Sequence, residues 1–262
     1  MSMPSAVPHS ALQPNDFVLV DRRGARRRPT TVLFDGDDTL WMTEPLYDAA
    51  RDRAAAIVAA AGLDAACWTR LQHEIDHRNV GRHGLSKDRF PTSSVEALDQ
   101  LARDEGRTID DRVTAAVRAA AASVFDAIAP LAVGAAGALD ALARVARCVL
   151  LTQGDPTVQA KRLADSGLER RFDAAVVVAK KDRACYGRIA AWLGVPTSTC
   201  WMVGNSVPSD VNPSIAAGMH AVWVDAYVWR HERREDLHAD SSAVAASGLD
   251  EAAQLILGRV GP

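Results

Sequence analysis

The stretch TVLFDGDDTL, residues 31–40, decides the fold. Its first half is a short run of apolar and β-branched residues that halts at acidic turn residues, the pattern of a buried strand. Its second half puts Asp35 and Asp37 at i and i+2 where the chain leaves that strand, with Gly36 between them permitting a tight approach. Beyond Pro130 the punctuation repeats. Helical stretches at 134–145, 156–166, 184–193 and near 208–217 lead in turn into CVLLT (148–152), AAVVVA (174–179), TCWMVG (199–204) and HAVWV (220–224). Strands alternating with helices at this spacing predict βαβ units, hence an α/β fold whose parallel sheet is covered on both faces.

Between these parts lies a block without strands. Alanine-rich helical patterns run over 46–61, 64–78, 94–105 and 110–127, with breaks at Gly62, at GRHG (81–84), at Pro91 and at Gly106. Residues 1–30 read as an N-terminal extension, with proline at 4, 8 and 14 and a basic cluster of Arg22, Arg23, Arg26, Arg27 and Arg28, a solvated tail or edge. The expected division is therefore an extension at 1–30, an α/β core at 31–44 and 128–262, and a helical insert at 45–127.

Composition narrows the function classes. The 30 basic and 33 acidic residues leave a net charge of −3, a weak electrostatic basis for binding nucleic acid or an anionic membrane. No apolar run reaches bilayer length, and the first residues lack the charged-then-apolar order of a secretory signal, so the expected location is the cytoplasm. Cys67, Cys148, Cys185 and Cys200 show neither metal-type nor redox-type spacing and read as reduced thiols. Four of the 30 basic residues are lysines, at 87, 161, 180 and 181, and two of them stand together after an apolar run.

In open α/β sheets chemistry gathers at the carboxyl ends of the strands. The first strand ends in the Asp35/Asp37 pair, whose like charges call for a cation or a shared proton; Mg²⁺ with oxygen ligands is the usual answer. The next ends in LLTQGD, where the Thr152 hydroxyl beside Gly154 is a donor suited to a phosphate oxygen. The third ends in VVVAKKD, which places Lys180 and Lys181 to neutralise a phosphoryl group. The fourth ends in MVGNSVPSD, with Asn205 and Asp210. Each element alone also has a plain structural reading: acids capping a helix, a threonine ending a strand, solvated lysines, a glycine turn. Their order along successive βα units points to chemistry.

FDGDDTL, LLTQGD, AKKD and GNSVPSD together resemble the four motifs of the haloacid dehalogenase superfamily, over about residues 31–225. The resemblance implies a Rossmann-like core with residues 45–127 as a C1-type helical cap, and HRNVGRHGLSKDRF with SSVEAL resembles the cap of a phosphatase-like branch. It implies Asp35 as nucleophile, Asp37 as general acid/base, Thr152 and Lys181 as phosphate ligands, and Mg²⁺ held by Asp35, the Asp37 backbone carbonyl and Asp210. Lys181 is preferred to Lys180 because that branch runs lysine, a short spacer, then tyrosine, here Tyr186. Asn205 stands where many members carry an acid, and is placed beside the metal rather than on it. The implied activity is Mg²⁺-dependent hydrolysis of a small phosphorylated metabolite through an aspartyl phosphate. Arg78, Asn79, His83 and Lys87, in a polar break between two helices, are expected to set specificity. The oligomeric state is open.

Three other readings compete. Dehalogenases of the superfamily attack carbon, need no metal and lack the second aspartate, so Asp37 favours phosphate. His73, Glu74 and His77 spell HEIDH, with His83 six residues on, but Val80 stands where the extended zinc-protease pattern wants glycine. A phosphatase-like domain with an altered fourth motif also fits a non-catalytic, phosphate-binding or regulatory module, against which the intact Asp35 and Asp37 argue.

Overall fold

The structure, a computed structural model, describes residues 11–24, 28–225 and 243–260. It divides into two compact units, Met1–Met42 with Pro130–Pro262, and Thr43–Ala129.

The first unit is built on a seven-stranded sheet. In chain order the strands are β1 (Phe17–Asp21), β2 (Thr30–Phe34), β3 (Ala146–Gln153), β4 (Ala174–Val178), β5 (Cys200–Gly204), β6 (His220–Val224) and β7 (Val244–Ala246). Their spatial order is β1-β4-β3-β2-β5-β6-β7, parallel throughout except for β1, which runs antiparallel to β4. This is the mostly parallel α/β architecture the alternating pattern predicts. Strands β3, β4 and β5 are almost entirely buried, which is why they read as unbroken apolar runs rather than alternating ones. Leu33, Val149, Leu151, Val176, Met202, Ile189 and Trp192 form one packed cluster on this sheet.

Helices α5 (Ala135–Leu142), α6 (Pro156–Ser166), α7 (Arg183–Leu193), α8 (Asn212–Ala216) and α9 (Leu249–Val260) connect or follow the strands. Helix α6 starts where it does because Asp155 accepts the Thr157 and Val158 N–H groups and Pro156 occupies the first turn, where no N–H is needed.

Residues 17–21 are not a tail but the edge strand β1, with Val18 packed on the core cluster. Arg22 donates to the Glu169 and Phe172 carbonyls. The Arg23 guanidinium lies 3.8 Å from the centre of the Trp192 ring, a contact that shields both groups. Arg28 is exposed, and Arg26 and Arg27 lie outside the described residues. Strand β7 and helix α9 lie beyond the last predicted strand, HAVWV.

The second unit is a bundle of α1 (Glu44–Ala60), α2 (Ala65–His83), α3 (Arg89–Asp104) and α4 (Asp111–Ala122) around Ala54, Val58, Trp68, Ile75, Leu98, Leu101 and Val117. Helix α2 continues through GRH to His83, and Gly84, at φ +59°, ends it. Pro91 falls in the first turn of α3, where its missing N–H costs no hydrogen bond, so it does not break the helix.

The longer α2 corrects the expected polar break. Arg78, Asn79 and His83 are helical, and Asn79 is fully buried, donating to Ser93 Oγ at 3.1 Å and Glu96 Oε2 at 2.8 Å. It belongs to a buried polar seam with the Asp76–Arg89 ion pair and the 2.9 Å Arg51–Gln72 bond. Asn79 therefore leaves the specificity set. Arg78, His83 and Lys87 are exposed, as is His77, while His73 is half-buried.

Candidate active site

The four central strands β4, β3, β2 and β5 deliver the predicted residues to one edge. The sheet order reverses direction across β2, which has β3 on one side and β5 on the other, and crevices form at such switch points.

Beyond β2 the Asp35 N–H still donates to the Val203 carbonyl at 2.9 Å, so Asp35 is held by the sheet. The chain then turns sharply. The Gly36 carbonyl accepts N–H groups from Thr39, Leu40 and Trp41 at 3.3, 2.8 and 3.2 Å, and Asp38 takes a left-handed φ of +59°. A Cβ on Gly36 would stand 2.6 Å from Trp41 Cζ2 and 3.3 Å from Thr152 Oγ1, so only glycine fits.

Lys181 is the centre of the cluster. Its Nζ pairs with Asp35 Oδ1 and, at 2.8 Å, with Asp210 Oδ1. Only 4% of the residue is exposed, whereas Lys180 faces solvent, which decides between the two lysines as to position. The Lys181 N–H donates to Gln153 Oε1 at 3.0 Å, joining the ends of β3 and β4.

Asp210 arrives on a wide turn in which the Val211 N–H reaches back five residues to the Ser206 carbonyl. Its Oδ2 accepts the Ser206 N–H at 3.1 Å. The carboxylate lies directly over Gly204, and an added Cβ there would stand 2.7 Å from the Asp210 Cβ and closer still to its carboxylate. Gly204→Ala is accordingly expected to push Asp210 off Lys181 and lower catalytic turnover by about tenfold or more, a misplacement effect. Steady-state kinetics with a melting curve checks this, and an unchanged rate would show that Asp210's position is not needed.

The electrostatics follow from crowding three charges in a buried space. Burial pushes the Asp35 carboxyl up to about 7; the Lys181 ammonium opposes the shift, and Asp210 and then Asp37 add to it. For Lys181 burial favours the neutral amine, but Asp210 and Asp35 outweigh it and the group holds its proton above the usual lysine range.

Three further predicted residues fall around this centre. Thr152 Oγ1 is buried with no hydrogen-bond partner among the described residues, beside the Gly36 turn. A buried hydroxyl left so is costly unless something else satisfies it. Asn205 reaches the cluster through Thr39: the Asn205 N–H donates to Thr39 Oγ1 at 3.1 Å, and that hydroxyl lies 3.0 Å from Asn205 Oδ1 and 3.2 Å from Asp35 Oδ2. Asp37, in contrast, turns its carboxylate to Trp41, Gln159 and Arg162. Among the described residues no group of three or more His, Cys, Asp or Glu is placed to hold a metal ion; Asp35 and Asp210 share Lys181 instead.

Sequence reasoning missed Thr39, Trp41, Gln159 and Arg162. Tyr186, used there only as a spacing marker, donates its hydroxyl to the Ser209 carbonyl at 2.8 Å and so braces the Asp210 turn. No disulfide joins any of the four cysteines, and burial pushes the Cys185 and Cys200 thiols up to about 11, which keeps those two inert. No helix among the described residues is long and apolar enough to cross a membrane.

The chain belongs to the haloacid dehalogenase-like hydrolases, whose family model matches residues 29–218. It is 32% identical to a phosphoserine phosphatase of Thermus thermophilus over 81 residues, 29% of this chain and 32% of that protein. It is 30% identical to the pyrimidine 5'-nucleotidase YjjG of Escherichia coli over 129 residues, 47% of this chain and 55% of that protein. The chain thus spans about a third and about half of the lengths of these curated relatives. Its fold is similar to that of a haloacid dehalogenase-like family hydrolase from Xanthomonas campestris, with a TM-score of 0.73 at 23% identity over 88% of this chain and 96% of that one. It is also similar to the L-2-haloacid dehalogenase of Xanthobacter autotrophicus, with a TM-score of 0.56 at 18% identity over 88% and 99% of the two chains.

Proposed function

We propose that this hydrolase is a phosphomonoesterase acting on a small phosphorylated metabolite. The observation that carries the reading is the second carboxylate, Asp37, two residues beyond the buried Asp35 and held in place on the same turn. A halide departs as a weak base and needs no proton, whereas an alkoxide leaving a phosphate ester does. A proton donor beside the nucleophile therefore suits esters. The two partial sequence relatives, a phosphatase and a nucleotidase by name, agree in direction.

In this reading a carboxylate oxygen of Asp35 attacks phosphorus, the bond from phosphorus to the ester oxygen breaks, and Asp37 gives that oxygen its proton. Asp37 then takes a proton from water as the water attacks the aspartyl phosphate, releasing inorganic phosphate and restoring both side chains. In the same reading Lys181 and the unsatisfied Thr152 hydroxyl offset charge on the phosphoryl oxygens. The donor set fits a hard cation: Asp35 and Asp210 are oxygen ligands already drawn to one positive charge, and the Asp37 carbonyl takes no part in the hydrogen bonds that close its turn. Those three groups would hold Mg²⁺, which would supply further neutralisation of the phosphoryl group. Asn205, one charge poorer than an acid, is tied through Thr39 to the edge of that set.

The test is phosphate release from p-nitrophenyl phosphate with Mg²⁺, repeated in EDTA, beside chloride release from 2-chloropropionate. Phosphate release that stops in EDTA is expected. Metal-independent chloride release without phosphate would replace the reading by dehalogenation, and turnover of neither would favour a binding module.

A further inference from the structure

Asp37 is held by three donors that no motif accounts for. Trp41 Nε1 donates to Oδ1 at 2.7 Å, Gln159 Nε2 donates to Oδ2 at 2.9 Å, and Arg162 forms an ion pair with the same Oδ2. Gln159 and Arg162 stand three residues apart on α6, so they issue from one face of that helix. Both are buried, at 2% and 7% exposure, while the Asp37 side chain is 29% exposed. The anchors are thus inside the protein and the carboxylate they hold is at its surface. A buried guanidinium is costly unless a carboxylate pairs with it, and an apolar side chain at 162 would pack α6 on the sheet without that cost.

We infer that Arg162, assisted by Gln159 and Trp41, is a positioning residue that fixes the Asp37 carboxylate for proton transfer. The inference rests on the phosphomonoesterase reading. A proton donor must stay within hydrogen-bond reach of the ester oxygen, and an aspartate with free side-chain torsions does not. Oδ2 carries two donors and Oδ1 one, so Oδ1 is the oxygen that gives its proton to the departing alkoxide and later takes one from the attacking water. Arg162 is paired with Asp37 and acts through it.

The experiment compares wild type, Arg162→Met, Asp37→Asn, the double variant and Arg162→Lys on phenyl phosphate and p-nitrophenyl phosphate. The value of kcat/KM reports the step in which the leaving group departs, and phenoxide needs the proton more than p-nitrophenoxide. Arg162→Met is expected to lower kcat/KM about 30-fold on phenyl phosphate and less than about fivefold on p-nitrophenyl phosphate, within the range general acid catalysis supplies. In the Asp37→Asn background the same change should cost less than about twofold, the non-additivity of residues acting as a unit. Arg162→Lys, which keeps the charge, should recover most of the loss. If Arg162→Met does not fold, Gln159→Leu takes its place in the same cycle, with a smaller loss of the same pattern. Equal losses on both esters and in both backgrounds, with wild type turning over, would reduce Arg162 to a structural tie and overturn this inference alone. A wild-type protein that releases no phosphate from either ester would overturn the phosphomonoesterase reading and this inference with it.

Discussion

Asp35→Asn is expected to abolish phosphate release while making the metal-free protein more stable at pH 8. Loss of turnover follows because an amide is a poor nucleophile and forms no acyl phosphate. The stability gain follows from the site's charge. Burial, and repulsion from Asp210 and Asp37, put the Asp35 carboxyl at about 7 against an ordinary 3.8, in spite of Lys181. Between those values the folded protein holds a proton that the unfolded chain has released, so stability falls as pH rises from about 4 to 7 and stays low above. The asparagine variant loses that dependence. Melting in EDTA should show the variant's advantage over wild type growing by at least about 3 °C between pH 4.5 and pH 8, the shift about 1 kcal/mol gives a chain of this size. A variant that melts lower at pH 8 would mean that Asp35 is held ionised by its partners and that the site is not under charge stress.

The legible part of this site is the part that the ends of the sheet strands deliver. Asp35, Thr152, Lys181 and Asp210 are readable because each lies at the end of an apolar run or on the turn that follows one, and the parallel sheet brings the ends of such runs together whatever the detail of the helices. Gln159 and Arg162 are not, since a glutamine and an arginine on a helix look the same whether they face water or a carboxylate. Their partner lies 122 and 125 residues away in the chain, and no local period reports it. Asn79 failed in the opposite sense. GRHG has the composition of a break, yet the helix runs on to Gly84 and turns Asn79 into the seam with Ser93 and Glu96. Strand β1 was hidden by its neighbours: FVLVD carries a strand pattern, but prolines before it and arginines after it made the segment look like a tail. What reveals it is antiparallel pairing with β4, a contact of long sequence separation. Arg23 then covers Trp192 and pairs with Asp21.

Lys181→Met should cost both stability and turnover, and Lys180→Ala should be among the mildest changes. The two lysines are adjacent, yet the first is nearly enclosed and bridges Asp35 and Asp210, while the second is exposed. Methionine fills similar volume but removes the ammonium that lies between two buried carboxylates. Breaking a buried ion pair from one side typically costs about 3–5 kcal/mol, because the remaining charge is left uncompensated. Here the group most able to relieve it is Asp35, whose carboxyl sits near neutrality with Lys181 present. With the ammonium gone it should bind a proton more readily still, so Lys181→Met should lose least stability in mild acid and most at pH 8. Turnover should fall by about 100-fold or more at every pH, since a protonated Asp35 does not attack and one cation opposite the phosphoryl oxygens is missing. Lys180→Ala should keep its melting temperature within about 1 °C and its rate within about twofold, as surface substitutions do. Comparable losses from the two variants would mean that the lysines act as a general positive patch. The buried Asp35–Lys181–Asp210 cluster would then no longer be the centre of the chemistry.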